Sequence, residues 1–162
     1  MDINQLSPHF SVKELTRSDT AVRLGIDNTP TAEYLKNLLV MCEKVLEPVR
    51  AHFGPVRVNS GYRSLALNMA VNPMTSTIDK LSKHCTGQAV DFEVMGTSNV
   101  IVAEWCRDNL PEYDQIILEF YTPGDPNSGW VHVGFVEGHN RKQLLTAARV
   151  SGKTEYKVGL IA

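Results

Sequence analysis

In Gln88–Val94, QAVDFEV, apolar and polar residues alternate from Val90 onward. Side chains of a β-strand point to opposite faces with period two, so Val90, Phe92 and Val94 form an apolar face and Ala89, Asp91 and Glu93 the other. Two later runs read the same way. In Gln115–Phe120, QIILEF, the apolar set is Ile116, Leu118 and Phe120, with Gln115, Ile117 and Glu119 opposite. In Trp130–Val136, WVHVGFV, it is Val131, Val133 and Phe135, with Trp130, His132 and Gly134 opposite. The faces turned from the core therefore collect Asp91, Glu119 and His132. If the second and third runs pair as an antiparallel hairpin, Glu119 and His132 share a face when Glu119 stands opposite a partner such as His132 itself. A one-residue slip separates them, and the sequence leaves the register open. The connection from Tyr121 to Gly129, rich in Pro, Gly and Asn, suits one wall of a cleft.

Helical patterns flank these runs. Residues 29 to 53 predict a long helix, with Thr29 as N-cap, Pro30 in the first position, and Leu35, Leu38, Leu39, Cys42, Val45, Leu46, Val49 and Phe53 at helical spacing. Gly54-Pro55 stops it, and Pro48 is expected to kink its last turns. Val56–Asn59 reads as a short strand, and Ser60-Gly61-Tyr62-Arg63-Ser64 as a turn feeding a short helix through Leu65, Leu67 and Asn68. Asn72 to Lys83 reads as loop. Thr97 or Ser98 caps a further helix carrying Ile101, Val102, Trp105 and Cys106, which stops near Pro111. The tail from Gly138 predicts a helix turn around Leu144 and a small hairpin across Ser151-Gly152. Strands and helices without regular βαβ alternation indicate an α+β fold, a small antiparallel sheet packed against helices.

Composition narrows the function. At 162 residues and 43% hydrophobic content, one domain over residues 1–162 is expected. A formal charge of −2 provides no basic field for nucleic acid. No run approaches the roughly 18–20 apolar residues of a membrane helix, so no stable membrane insertion is expected. Met1–Phe10 lacks the basic and apolar regions of a signal peptide, so synthesis in the cytoplasm without one is expected. Cys42, Cys85 and Cys106 have neither CxxC nor CxxxC spacing, which argues against a disulfide framework or a thiolate zinc finger. They read as small neutral thiols.

His84 lies seven residues before Asp91, in a loop that feeds the strand of Asp91. A loop histidine, a strand carboxylate and His132 on the same kind of face match a catalytic zinc site, in which three protein ligands leave the fourth position to water. Such a site lowers the pKa of its water toward about 7 and needs a carboxylate to take and return the proton, for which Glu119 is best placed. Arg63, at the end of a turn, could project a guanidinium toward a carboxylate or carbonyl oxygen. Each residue also has a plainer reading: a solvated loop histidine at position 84, a surface carboxylate or turn anchor at 91, a packing histidine at 132, a wet-face glutamate at 119, a capping arginine at 63. His9, His52 and His139 have no acidic or histidine partner at ligand spacing and are not expected to be ligands. No G-x-S-x-G, P-loop, dinucleotide fingerprint or HExxH occurs.

Taken together, Ser60-Gly61-Tyr62-Arg63-Ser64, the string Ser82-x-His84-x-x-Gly87-x-Ala89-x-Asp91 and Trp130-Val131-His132 resemble the zinc peptidases that cut bacterial peptidoglycan stems. These are the D-alanyl-D-alanine carboxypeptidase and L-alanyl-D-glutamate endopeptidase family, phage endolysins among them. His9-Phe10-Ser11-x-x-Glu14-Leu15 and Leu46-Glu47-Pro48-Val49-Arg50 look like its opening. The resemblance implies the α+β fold shared with the Hedgehog signalling domain and one zinc per chain held by His84, Asp91 and His132. It also implies that Glu119 is general base and then acid, Arg63 binds a substrate carboxylate or steadies the oxyanion, and Ser82 supports the site by hydrogen bonding. Many members carry the catalytic acid three residues before the last histidine, where this chain has Gly129; the role then falls to Glu119, with Asp125 as an outside candidate. The stretch from Ala70 to Lys83 looks longer than the family's compact loop. The implied partner is the stem peptide of the cell wall, reached during phage lysis or from a virion, or else by a bacterial host enzyme using another route; the sequence leaves the oligomeric state open, with a monomer favoured. The alternative is a zinc-stabilised binding or virion structural module without catalysis.

Overall fold

The computed structural model describes residues 4–161. An N-terminal ribbon of β1 (Gln5–Ser7) and β2 (Phe10–Ser11) leads into two short helices, α1 (Val12–Thr16) and α2 (Asp19–Leu24). Ser11 caps α1 reciprocally with Glu14, one accepting the backbone N–H of the other. The long helical stretch follows as α3 (Ala32–Met41), a π-turn (Cys42–Leu46) and α4 (Glu47–Phe53). Thr31, not Thr29, caps it, accepting the N–H of Tyr34. The expected kink at Pro48 takes a specific form. Proline has no N–H and its ring collides with the carbonyl four residues back, so the preceding turn widens until Glu47 N–H bonds Cys42 O and the helix restarts with Pro48 in its first turn.

Six strands form the main sheet in the order β3-β4-β6-β5-β7-β8. They are β3 (Val56–Ser60), β4 (Ala89–Val94), β5 (Gln115–Glu119), β6 (Trp130–Gly134), β7 (Gln143–Val150) and β8 (Lys153–Val158). Between β3 and β4 come α5 (Leu65–Val71) and short 3-10 turns, and between β4 and β5 lies α6 (Asn99–Asn109). The fold is α+β, with one correction. The main sheet is mixed, because β5 and β7 run parallel while its other pairs are antiparallel. The expected helix turn around Leu144 is likewise replaced by β7, which pairs on both sides, whereas the hairpin across Ser151-Gly152 forms as β7–β8.

Val90, Phe92, Ile116, Leu118, Val131 and Val133 are fully buried, against Leu38, Met41, Val45 and Val49 of the long helical stretch and Val102 and Cys106 of α6. Each such side chain contributes about 1.5–3 kcal/mol by leaving water. With one face committed to this core, the register is pinned and the opposite face is free for polar groups. Phe120 breaks the alternation expected of it. Its φ of 55° turns it out of β5, and its ring meets Trp130 on the polar face, 5.3 Å between centroids. Cys42 and Cys106 are buried free thiols whose pKa is pushed up to about 12 by burial.

Candidate metal centre

β6 sits between β4 and β5, with Asp91 opposite His132 on one side and Ile117 opposite it on the other. Glu119 is opposite Trp130, two positions from His132, so Glu119 and His132 lie on one face in a diagonal relation. Register thereby brings Asp91, His132 and Glu119 together from three adjacent strands. His132 Nδ1 is 2.8 Å from Asp91 Oδ1 and 3.7 Å from Glu119 Oε1.

His84 arrives from a 3-10 turn, Lys83–Thr86, immediately before β4. Ser82 opens that turn by accepting the N–H of His84 at 3.3 Å. Gly87 closes it at φ 72°, where an added Cβ would lie 2.6 Å from the Tyr34 carbonyl oxygen of α3, so only glycine fits there. Ala89 is fully buried. The spacing Ser-x-His-x-x-Gly-x-Ala-x-Asp is thus a cap, a ligand-type side chain, a left-handed closure and a strand entry. The His84 ring is buried, its Nδ1 2.7 Å from Gly61 O and its Nε2 3.4 Å from Asp91 Oδ2. A carbonyl oxygen only accepts, so Nδ1 carries the proton and the Nε2 lone pair faces Asp91.

One donor atom each from His84, Asp91 and His132 all lie within 4.8 Å of one another. The donor set fits zinc: two imidazoles and a carboxylate, one imidazole already held in the ligating tautomer. The electrostatics agree. Burial disfavours the charged form of His84 and lowers its pKa, leaving the neutral ring that a metal needs. Burial would raise Asp91, but the two imidazoles outweigh it and hold its carboxyl well below the usual range. His132 shifts the other way: burial opposes its charge, yet the Asp91 hydrogen bond and the charges of Asp91 and Glu119 raise its pKa. Glu119 is pushed up to about 7, first by burial and then by Asp91.

Arg63 lies at the rim. Its backbone N–H bonds His84 O at 3.0 Å, which ties the Ser60–Ser64 turn to the His84 turn. Its side chain lines two cavities that also share Asp91 and Trp130, and its buried Nε has no hydrogen-bond partner. Asn28, for which the sequence carries no signal, clamps this turn: its side chain donates to Thr16 O and Tyr62 O and accepts from Ser64 N. Ser82 lines the cleft as well. Asp125 does not join the cluster; it is exposed in the 121–129 loop, accepting the Asn127 N–H. At Gly129 (φ 67°) an added Cβ would collide with the carbonyl oxygen of Glu119, so no side chain can start there. His9 is held by Glu47 at 2.8 Å, and His52 stacks on Trp105, away from the centre.

A family model described as Peptidase M15 matches residues 8–133 of the chain. The chain belongs to that family, whose members are zinc-dependent metallopeptidases. A search of curated proteins finds no match. Among the described residues, no helix is long and apolar enough to cross a membrane.

Proposed function

We propose that this M15 peptidase is a single zinc peptidase domain over residues 1–162 that hydrolyses an amide bond in the peptidoglycan stem peptide. The observation that carries the reading is the convergence of His84, Asp91 and His132 within 4.8 Å, with the Glu119 carboxylate 3.7 Å from His132. One zinc held by that triad supplies the Lewis acidity that activates water and polarises the scissile carbonyl. Glu119, poised near neutrality by burial, takes the proton of the attacking water and returns it to the leaving amine. Arg63 holds a substrate carboxylate or the developing oxyanion. Ser82 steadies the His84 turn and keeps its hydroxyl proton for a substrate oxygen.

The motif resemblance and the open, polar character of the cleft support this substrate, since Arg63, Ser82, Lys83 and Arg149 suit a carboxylate-bearing peptide. Action at the bacterial wall, as a phage lysis or virion-borne protein, belongs to the same reading. The test is mass spectrometry of soluble products after zinc-supplemented protein meets purified sacculi of several stem chemistries. Loss of one terminal alanine identifies a carboxypeptidase, and release of stems beginning at D-glutamate an endopeptidase. Zinc binding without any product leaves a zinc-stabilised binding module as the better account.

A further inference from the structure

The family match ends at residue 133, and the sheet continues past it. β7 and β8 extend the polar face by two strands. In their register Ala147 stands between Glu119 on one side and Tyr156 on the other, and Arg149 is opposite Thr154. Period two places all of these side chains on the face of Glu119. A cleft of about 580 Å³ runs along that face from His84 and Asp91 past Glu119 to Arg149, Thr154 and Tyr156, a size typical of ligand sites. Ala147 contributes only a methyl, so nothing rises between Glu119 and Tyr156. The Tyr156 hydroxyl registers this proximity: its pKa is raised by partial burial and then by the charges of Glu119 and Asp91.

Arg149 is braced from below. Its guanidinium carbon lies 5.6 Å from the centre of the Phe120 ring, and that ring in turn meets Trp130. Phe120 can do this only because its left-handed backbone breaks the strand alternation right after Glu119. Among the described residues Arg149 makes no ion pair, whereas Arg141, on the same cleft, is neutralised by Asp114. Arg149 thus offers a guanidinium without a carboxylate, on a backbone position one strand over and two residues along from Glu119, about 8 Å between Cα atoms from strand spacing and rise.

We propose that the β7–β8 hairpin is a recognition wall for the substrate, in which Arg149, with Thr154 beside it and Tyr156 lining the approach, binds a stem-peptide carboxylate on the far side of Glu119 from Arg63. The inference rests on the stem-peptide reading above and deepens it.

The test uses the zinc-loaded full chain with Glu119→Gln to stop turnover, with and without Arg149→Gln. Both proteins are titrated calorimetrically with stem tetrapeptides in which each carboxylate in turn is a carboxamide. Amidation of one carboxylate is expected to weaken binding about tenfold, the loss of one charge-assisted pair. Arg149→Gln is expected to erase that difference while leaving zinc content and the other peptides' ranking unchanged. A second carboxylate whose amidation weakens binding equally in both proteins belongs to Arg63; if Arg149→Gln removes no carboxylate dependence, or no peptide shows any, the inference is overturned. Cleavage by the protein with Glu119 intact is followed in parallel. No cleavage with the carboxylate dependence present defeats the reaction and keeps the wall; no binding of any peptide defeats both.

Discussion

The imidazole of His84 donates from Nδ1 to the carbonyl oxygen of Gly61 at 2.7 Å, and this bond leaves Nε2 as the nitrogen that faces Asp91. Two turns far apart in sequence are thereby joined: the one that presents Arg63 and the one that presents His84. The second link between them is the Arg63 N–H to His84 O bond at 3.0 Å.

Zinc retention should depend on all three members of the triad. His84→Ala, Asp91→Ala and His132→Ala are each expected to reduce bound zinc to background in elemental analysis. Added zinc should raise the melting temperature of the unaltered protein and not that of the variants, since only a ligand held by the native state stabilises it. A variant that keeps full zinc occupancy removes its residue from the ligand set.

Glu119→Gln is expected to keep the metal and lose turnover. The side chain is nearly isosteric and lies outside the triad, while general acid–base work is worth about 10²–10⁴ in rate. Zinc content and product formation measured on one preparation check this. Turnover within a few-fold of the unaltered protein would return the role to another carboxylate.

Gly129→Ala is expected to destabilise the protein by about 2 kcal/mol or more, a fall of roughly 4–8 °C in melting temperature. The residue sits at φ 67° with the Glu119 carbonyl in the space a Cβ would take. Relief of the collision must move either the β5–β6 connection or Glu119 itself, so activity should fall more than stability alone explains. A melting temperature equal to that of the unaltered protein would show that the connection yields freely.

Asp114 pins the start of β7. Its buried carboxylate takes two bonds at 2.9 Å from the Arg141 guanidinium, and its backbone oxygen accepts the Gln143 N–H. Burial raises its pKa, but Arg141 outweighs this and the net shift is downward from 3.8. A carboxylate depressed in the folded state stabilises above its unfolded pKa, and the stability is lost as pH falls through the folded value. Asp114→Asn should therefore cost about 1–2 kcal/mol at pH 7, discounted because Arg141 is half-exposed, and progressively less as pH drops below about 4. Thermal melts of both proteins from pH 7 to pH 3 check it: a deficit that stays constant across that range is incompatible with this account.

The sequence by itself determined which residues of the three central strands face the core. Period-two alternation sorted Val90, Phe92, Ile116, Leu118, Val131 and Val133 from Asp91, Glu119 and His132, and each of the first group is fully buried. The string Ser82-x-His84-x-x-Gly87-x-Ala89-x-Asp91 was legible as a motif, while its local roles, Ser82 as cap and Gly87 as left-handed closure, came from the structure. Tertiary structure decided what joins distant segments. Pairing of β5 with β7 is parallel, and a parallel neighbour leaves no short turn signal to read. The diagonal register of Glu119 and His132, the tautomer of His84 and the clamp by Asn28 rest on bonds between residues 12 to 36 positions apart or across strands whose offset no local pattern encodes. The left-handed Phe120 is the sharpest case: alternation places its ring in the core, and the packing of Trp130 and Arg149 on the other face places it at the cleft instead.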